Sequence, residues 1–339
     1  MAAALTVLAC QAAAQLPSTD SSPSSAHPTA MRTPATFSPA DAPSAAPSPS
    51  LSPREAYDAA LNQQATRYLD RWDQIAAGAP SNAVVLVGEL TRGGGWRGAN
   101  ADNAKSAVEA GAIQATVKLP MQAPPPGEVV WADGSTQTVS LFSAAEALSD
   151  MISHKAGGDC HGCRPVKVIG AELVSGEADT SRGRATMPLW QFEFAPEDAP
   201  RTPITHPATR DRIVAPLEEP WDPYGGNPMG QRIDAAYGTP AATMLTVIFV
   251  GAPLPGNVWC GADYTAEGIE SDRAVVVIVR SESHPPSGEK PSGCFSLGAG
   301  RNAGLTLERP VGTRTILEVQ FGTPVVLIAG DPPKDLVSR

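Results

Sequence analysis

No run of Lys or Arg in this 339-residue chain is dense enough to neutralise a row of phosphates, so a nucleic-acid partner is not expected. Charge is scarce altogether: 18% of residues are charged, and the formal net charge is −10. An acidic body without a basic patch is repelled by an anionic lipid surface, so attachment to a membrane requires an anchor. No apolar stretch approaches the ~20 residues of a transmembrane helix. The longest, around 244–250, is the length of a strand. Several catalytic signatures are missing too: there is no H-E-x-x-H, no G-x-S-x-G and no EF-hand spacing. Nothing in the sequence calls for a cofactor or a metal. What the chain does have is Gly (31) and Pro (34), a mixture that suits short strands and many turns.

Five cysteines make an odd set: Cys10, Cys160, Cys163, Cys260 and Cys294. Cys10 follows Leu5, Thr6, Val7, Leu8 and Ala9, a short apolar run ending in a small residue. That is the pattern of a bacterial lipobox, in which the Cys carries a lipid. A basic segment and most of an apolar segment are missing ahead of it, so residues 1–10 read as a truncated signal peptide. Residues 11–53 are Ser-, Pro- and Ala-rich and cannot bury enough apolar surface to offset their ordering entropy. They read as a disordered tether. Without Cys10 four cysteines remain, an even number suited to two disulfides in an oxidising compartment. The favoured pairs are Cys160–Cys163 and Cys260–Cys294, with pairing between the two halves of the chain as the alternative. Chain entropy assigns about 3.8 kcal/mol to the longer loop and about 2 kcal/mol to the short one.

The body is expected to be α+β: an N-terminal mixed lobe over 54–195, a Pro/Gly-rich connection over 196–239, a smaller, mostly antiparallel β lobe over 240–332 and a tail over 333–339. Tyr57, Leu61, Ala65, Tyr68, Trp72 and Ile75 recur at spacings of three and four, the face of a helix that Gly78 and Pro80 end. A strand is expected over 83–90, a helix over 102–110 and a strand over 115–119. A hairpin turns at Asp133-Gly134. Ser143 and Glu146 are spaced as a capping box opening another helix, to about 152. Strands over 166–173 and 185–194 follow, the second with Trp190, Phe192 and Phe194 on one face. Beyond the connection, β-type runs stand at 244–250, 274–279, 305–307, 315–319 and 325–328.

Three stretches carry a family resemblance. Cys160-x-x-Cys163-x-Pro165 precedes a Val-rich run, then comes Thr180-Ser181-Arg182-Gly183 with Ala185, Pro188, Trp190 and Phe192. The second half adds Cys260, Tyr264-Thr265-Ala266-Glu267, Glu270-Ser271, Cys294 and Pro310-x-Gly312-x-Arg314. In these positions the chain resembles a group of uncharacterised secreted lipoproteins of high-GC Gram-positive bacteria. The resemblance implies export, a lipid anchor and a disulfide-bearing ectodomain, and it supplies no activity.

The remaining candidates for chemistry are few. Cys160-His161-Gly162-Cys163 could be a redox dithiol, but that role wants a helix after the first Cys, and here a strand follows. A zinc site would need more ligands than two thiolates and His154 or His161. A structural disulfide is the simplest reading. Gly93, Gly95 and Gly98 have the spacing of a dinucleotide loop without its strand and acidic partner, and read as a loop carrying Trp96. Ser287 and Lys290 match S-x-x-K among prolines and glycines that forbid the helix it needs. Asp263, Glu267, Glu270 and Asp272 gather negative charge about Tyr264; Tyr264, Glu267 and Glu270 are the candidate polar surface. Thr180 to Gly183 reads as a polar hairpin turn in which Ser181 has no evident base. The chain is therefore expected to be an extracytoplasmic, lipid-anchored binding or interaction module with an envelope protein or glycan as partner. The alternative is an envelope enzyme, either a thiol-disulfide oxidoreductase using Cys160 and Cys163 or a hydrolase using 263–272.

Overall fold

Helix α1 (Pro53–Gly78) opens on a capping box that the sequence carries as Ser52-Pro53-Arg54-Glu55. The Glu55 N–H donates to the Ser52 hydroxyl at 3.3 Å and the Ser52 N–H to the Glu55 carboxylate at 2.8 Å, with Pro53 at the first helical position. The computed structural model describes residues 51–93, 95–97, 101–155, 162–195, 200–214, 229–284, 293–294 and 298–332. Leu61, Ala65, Tyr68, Leu69 and Trp72 are buried on one face of α1, as their spacing requires. Tyr57 is exposed, and its hydroxyl accepts the Gly230 N–H.

The first half builds one large sheet. Its elements are β1 (Val84–Leu86), β2 (Arg92–Gly93), α2 (Ala101–Glu109), β3 (Ile113–Ala115), β4 (Gly127–Trp131), β5 (Thr136–Val139), α3 (Ala144–Lys155), β6 (Val166–Thr180), β7 (Gly183–Ala195), β8 (Thr202–Pro207) and β9 (Arg212–Val214). Among the described residues nine strands share this sheet, with the path β2-β8-β7-β6-β1-β9 and the β4–β5 hairpin on the tip half of β7. The long β6–β7 hairpin is its spine. Trp190, Phe192 and Phe194 are buried along one side of β7, the alternation their spacing dictates, while nearer the turn Ala185, Met187 and Leu189 on the other side are buried. Both sets join one core with Ala147, Leu148 and Met151 of α3. Ser143 and Glu146 form the expected capping box, so α3 starts at Ala144.

The second half folds as a sandwich. Its strands are β10 (Ala235–Tyr237), β11 (Met244–Gly251), β12 (Asp263–Glu270), β13 (Ala274–Glu282), β14 (Ala299–Thr306), β15 (Thr315–Glu318) and β16 (Leu327–Ile328). They pair as β14-β11-β10-β16 and as β12-β13-β15. Residues 274–279 are apolar without alternation because β13 is buried on both faces. Val275, Val277 and Val279 meet Leu245, Val247 and Phe249 of the facing sheet. Ala274, Val276 and Ile278 pack in a cluster with Leu61, Tyr68 and Trp72 of α1. Burying each large apolar side chain here contributes about 1.5–3 kcal/mol.

The mixed, strand-rich architecture matches the α+β expectation. Its details differ in three places. The first helix lies on β12 and β13 of the second half, and residues Leu51–Arg339 form one compact unit. The expected connection 196–239 carries β8, β9 and β10; Pro203 and Pro207 interrupt the pattern, but β8 pairs with β7 from Thr202 to Pro207. The acidic run 263–270 is strand β12, paired along its length with β13. No helix among the described residues is long and apolar enough to cross a membrane.

Cys260 and Cys294 are disulfide-bonded, with their Cα atoms 5.5 Å apart. Replacing both by serine is expected to cost about 3.8 kcal/mol, the loop-closure value for a separation of 34 residues. Urea unfolding midpoints of the wild type and the double variant measure it; a difference below about 1 kcal/mol contradicts the expectation.

Candidate functional site

The turn of the β6–β7 hairpin projects to the junction between the two halves and shapes a cleft there. Thr180 and Gly183 close the turn around Ser181 and Arg182. Gly183 has φ +105°, and a Cβ at that position would lie 2.9 Å from the Leu327 carbonyl oxygen of β16, so a side chain is excluded. The Thr180 hydroxyl organises the turn: it donates to the Gly183 carbonyl at 2.7 Å and accepts the Arg182 N–H at 3.2 Å. It also accepts the indole N–H of Trp131 at 3.1 Å. The Ser181 N–H donates to the Val85 carbonyl at 3.0 Å, fixing the turn to β1.

The cleft beside this turn has a volume of about 290 Å³, near the lower bound for small-molecule sites. Trp72 and Ala76 of α1 form one wall, and Val84, Val85 and Trp131 another. Asp272 and Arg273, from the turn between β12 and β13, and Thr313 and Thr315, at the start of β15, complete it.

Its polar groups divide into used and unused. The Arg182 guanidinium lies 4.0 Å over the Trp131 ring and donates to the Ser135 hydroxyl at 3.0 Å. It is therefore held in place by a cation–π contact and a hydrogen bond. Asp272 accepts from Arg309 at 2.8 Å. Ser181 and Thr315, in contrast, are 8% and 3% exposed, and neither hydroxyl has a hydrogen-bond partner in the described chain. Neither hydroxyl is among the buried polar atoms left without a partner, which among the described residues are Gln64 Oε1 and Thr209 Oγ1. Both instead face the cleft, where solvent reaches them and a ligand atom could take the place of water. Arg273 is exposed and its guanidinium forms no ion pair among the described residues. Among the described residues Ser181 has no histidine or carboxylate bonded to it, so their part of the cleft holds donors without an assembled nucleophile and base.

A second polar cluster lies in the first half, with His206 and Arg212 buried and Asp150 partly open to solvent. Helix α3 presents Glu146, Asp150 and His154 one turn apart. Asp150 is bonded to Arg212 and accepts from His206 Nε2 at 2.7 Å. Burial is the largest influence on His206 and lowers its pKa, so the ring is neutral. With Nε2–H donated to Asp150, Nδ1 is the acceptor and faces the Thr91 hydroxyl at 3.4 Å. Burial works to raise the Asp150 pKa, but the His206 bond and the Arg212 charge together hold it at about 2. The order Thr91, His206, Asp150 is that of a catalytic triad. However, His206 is 0% exposed and the hydroxyl contact is long. The cluster ties α3 to β8 and β9.

The residues singled out from sequence are not brought together. Tyr264 packs edge-on to Phe249, and its hydroxyl accepts the Ala252 N–H at 2.6 Å. Glu267 pairs with Arg280, which also reaches Asp58 and Asn62 of α1. Glu270 pairs with the buried Arg314. Asp263 accepts the Gly256 N–H at 3.0 Å. Four carboxylates engaged with four different partners do not form the shared site that a hydrolase needs. Cys163 is disulfide-bonded and precedes β6. Cys10, Cys160, His161, Gly98, Ser287 and Lys290 lie outside the described residues. Trp96 packs edge-on to Phe194 with centroids 6.1 Å apart, so its loop is fastened to the core at that point.

Sequence patterning does not reveal Arg273, Thr315, Asp150 or His206 as functional candidates. The polar turn 180–183 was the one legible signal for the cleft. Comparison of the chain with protein-family models, with curated proteins and with solved structures returns no match.

Proposed function

We propose that the chain is an exported binding module of the cell envelope, held to the membrane through a lipid on Cys10, with the cleft at the β6–β7 turn as its ligand site. The observation that carries the binding role is that the hydroxyls of two largely buried residues, Ser181 and Thr315, open without a protein partner on one cleft with Arg273, which forms no ion pair among the described residues. The lipobox-like run ahead of Cys10, the Ser/Pro-rich tether and the even set of remaining cysteines support export and anchoring. The first-half sheet supplies the turn, and α1, the β12–β13 turn and the approach to β15 supply the opposite wall. The partner is an envelope component, protein-borne or glycan-borne, that places a small polar group in the cleft.

Two measurements test the proposal. Mass spectrometry of the native membrane fraction is expected to show a diacylglyceryl modification on Cys10; an unmodified Cys10 in mature native protein would leave a secreted ectodomain. For the cleft, small polar compounds that bind are expected to shift the indole N–H signals of Trp72 and Trp131 in NMR spectra. The signal of Trp190, whose indole donates to the Phe142 carbonyl inside the first core, should stay fixed. Shifts confined to Trp190 and Trp96 would place binding elsewhere.

A further inference from the structure

We infer that the cleft recognises its ligand through an oxyanion, a carboxylate or a phosphate monoester, with Arg273 as the charged contact and Ser181 and Thr315 as the neutral donors. This rests on the cleft being the binding site. Three charged side chains line it: Arg182, Arg273 and Asp272. The carboxylate of Asp272 is 90% exposed and already paired with Arg309, so a cationic ligand finds no free partner. Among the described residues no carboxylate pairs with Arg273. The locally unopposed charge is therefore positive, on a protein whose net charge is −10.

The aromatic residues exclude the main competing chemistry. A neutral sugar is commonly held by stacking on an open indole face. Trp72 is 3% exposed and Trp131 is 5% exposed, with the Arg182 guanidinium over the Trp131 ring. Neither offers a platform. What remains open is a set of hydroxyl and guanidinium donors, which matches the acceptor-only oxygens of a carboxylate or phosphate. The volume of about 290 Å³ admits a small anion or the charged end of a larger molecule.

The test is calorimetric titration of the full chain with inorganic phosphate, succinate and glucose, using the wild type and the variants Arg273→Ala, Ser181→Val and Thr315→Val. Arg273 is exposed and unpaired, so its replacement should leave the thermal midpoint unchanged and serves as the cleanest probe. Expected is binding of phosphate or succinate but not glucose, weakened about 10- to 100-fold by Arg273→Ala and weakened further by raised salt. Which of the two anions binds identifies the source of the oxyanion. Glucose binding that survives Arg273→Ala but is lost in Ser181→Val or Thr315→Val overturns the anion inference and leaves the cleft standing as a site. Binding of none of the three probes, or binding that no substitution alters, overturns both.

Discussion

Replacing Asp150 by alanine is expected to destabilise the fold by about 3–5 kcal/mol, the cost of leaving a buried charge without its partner. The Arg212 side chain is 5% exposed and its guanidinium bonds Asp150 and the Pro207 carbonyl. Removing the carboxylate strands that cation and also deprives the fully buried His206 of its acceptor. Urea unfolding followed by circular dichroism measures the change; a loss below about 1 kcal/mol contradicts the assignment of Asp150 as the hub. The same cluster sets a pH profile. The folded pKa of Asp150 lies below its ordinary 3.8, so its contribution is complete above that value and is lost as pH falls through about 2. That contribution is about 2 kcal/mol. His206 is also lowered, from 6.5, so the unfolded chain takes up its proton first and stability declines as pH falls below 6.5. Glu318 acts in the opposite sense, because burial raises its pKa despite hydrogen bonds from residues 320, 321 and 323. In a His206→Gln variant the slope between pH 6.5 and 5 is expected to flatten.

Arg314→Ala is expected to cost a similar 3–5 kcal/mol. The Arg314 side chain is 6% exposed, and it pairs with Glu270 while donating to the carbonyls of Arg309, Pro310 and Val311. This explains the spacing Pro310-x-Gly312-x-Arg314: the arginine folds back over the turn that Gly312, at φ +59°, allows. Without it the Arg309 and Pro310 carbonyls lose their donor and Glu270 loses its charged partner, while the Val311 carbonyl keeps the Arg314 N–H and Glu270 keeps the Glu308 N–H. Arg314→Lys keeps the charge but not the fork of donors, so it should recover only part of the loss. Because Thr313 and Thr315 flank Arg314 and line the cleft, ligand binding should weaken along with stability. A variant that unfolds at the wild-type midpoint would show that Glu270 and the turn are held by other contacts.

Of these two hubs the sequence signals only Arg314, within Pro310-x-Gly312-x-Arg314, and nothing in it marks Asp150. Elements whose signals are local came through: the capping box of Ser143 and Glu146, the helical face from Leu61 to Trp72, and the alternation of Trp190, Phe192 and Phe194. The apolar run 274–279 was legible as a strand, yet its lack of alternation makes sense only once α1 covers one face and the sandwich the other. Strand β8 was missed because Pro203 and Pro207 imitate a connection, while its stability comes from pairing with β7. The acidic run 263–272 looked like a functional surface because composition concentrates charge there. Strand geometry instead sends successive side chains to opposite faces, and each carboxylate finds a different partner. The cleft was the least legible feature of all. Its lining comes from α1, β1, the β4–β5 hairpin, the β6–β7 turn, the β12–β13 turn and β15, and no spacing rule connects them.

The most direct measurement is a crystal structure of the chain grown with inorganic phosphate or succinate. Expected is density for the oxyanion inside the cleft, within hydrogen-bonding distance of the Ser181 and Thr315 hydroxyls and of the Arg273 guanidinium. A ligand seated away from the β6–β7 turn, or Ser181 and Thr315 hydroxyls satisfied by neighbouring protein groups, would contradict the assignment of the cleft as the binding site.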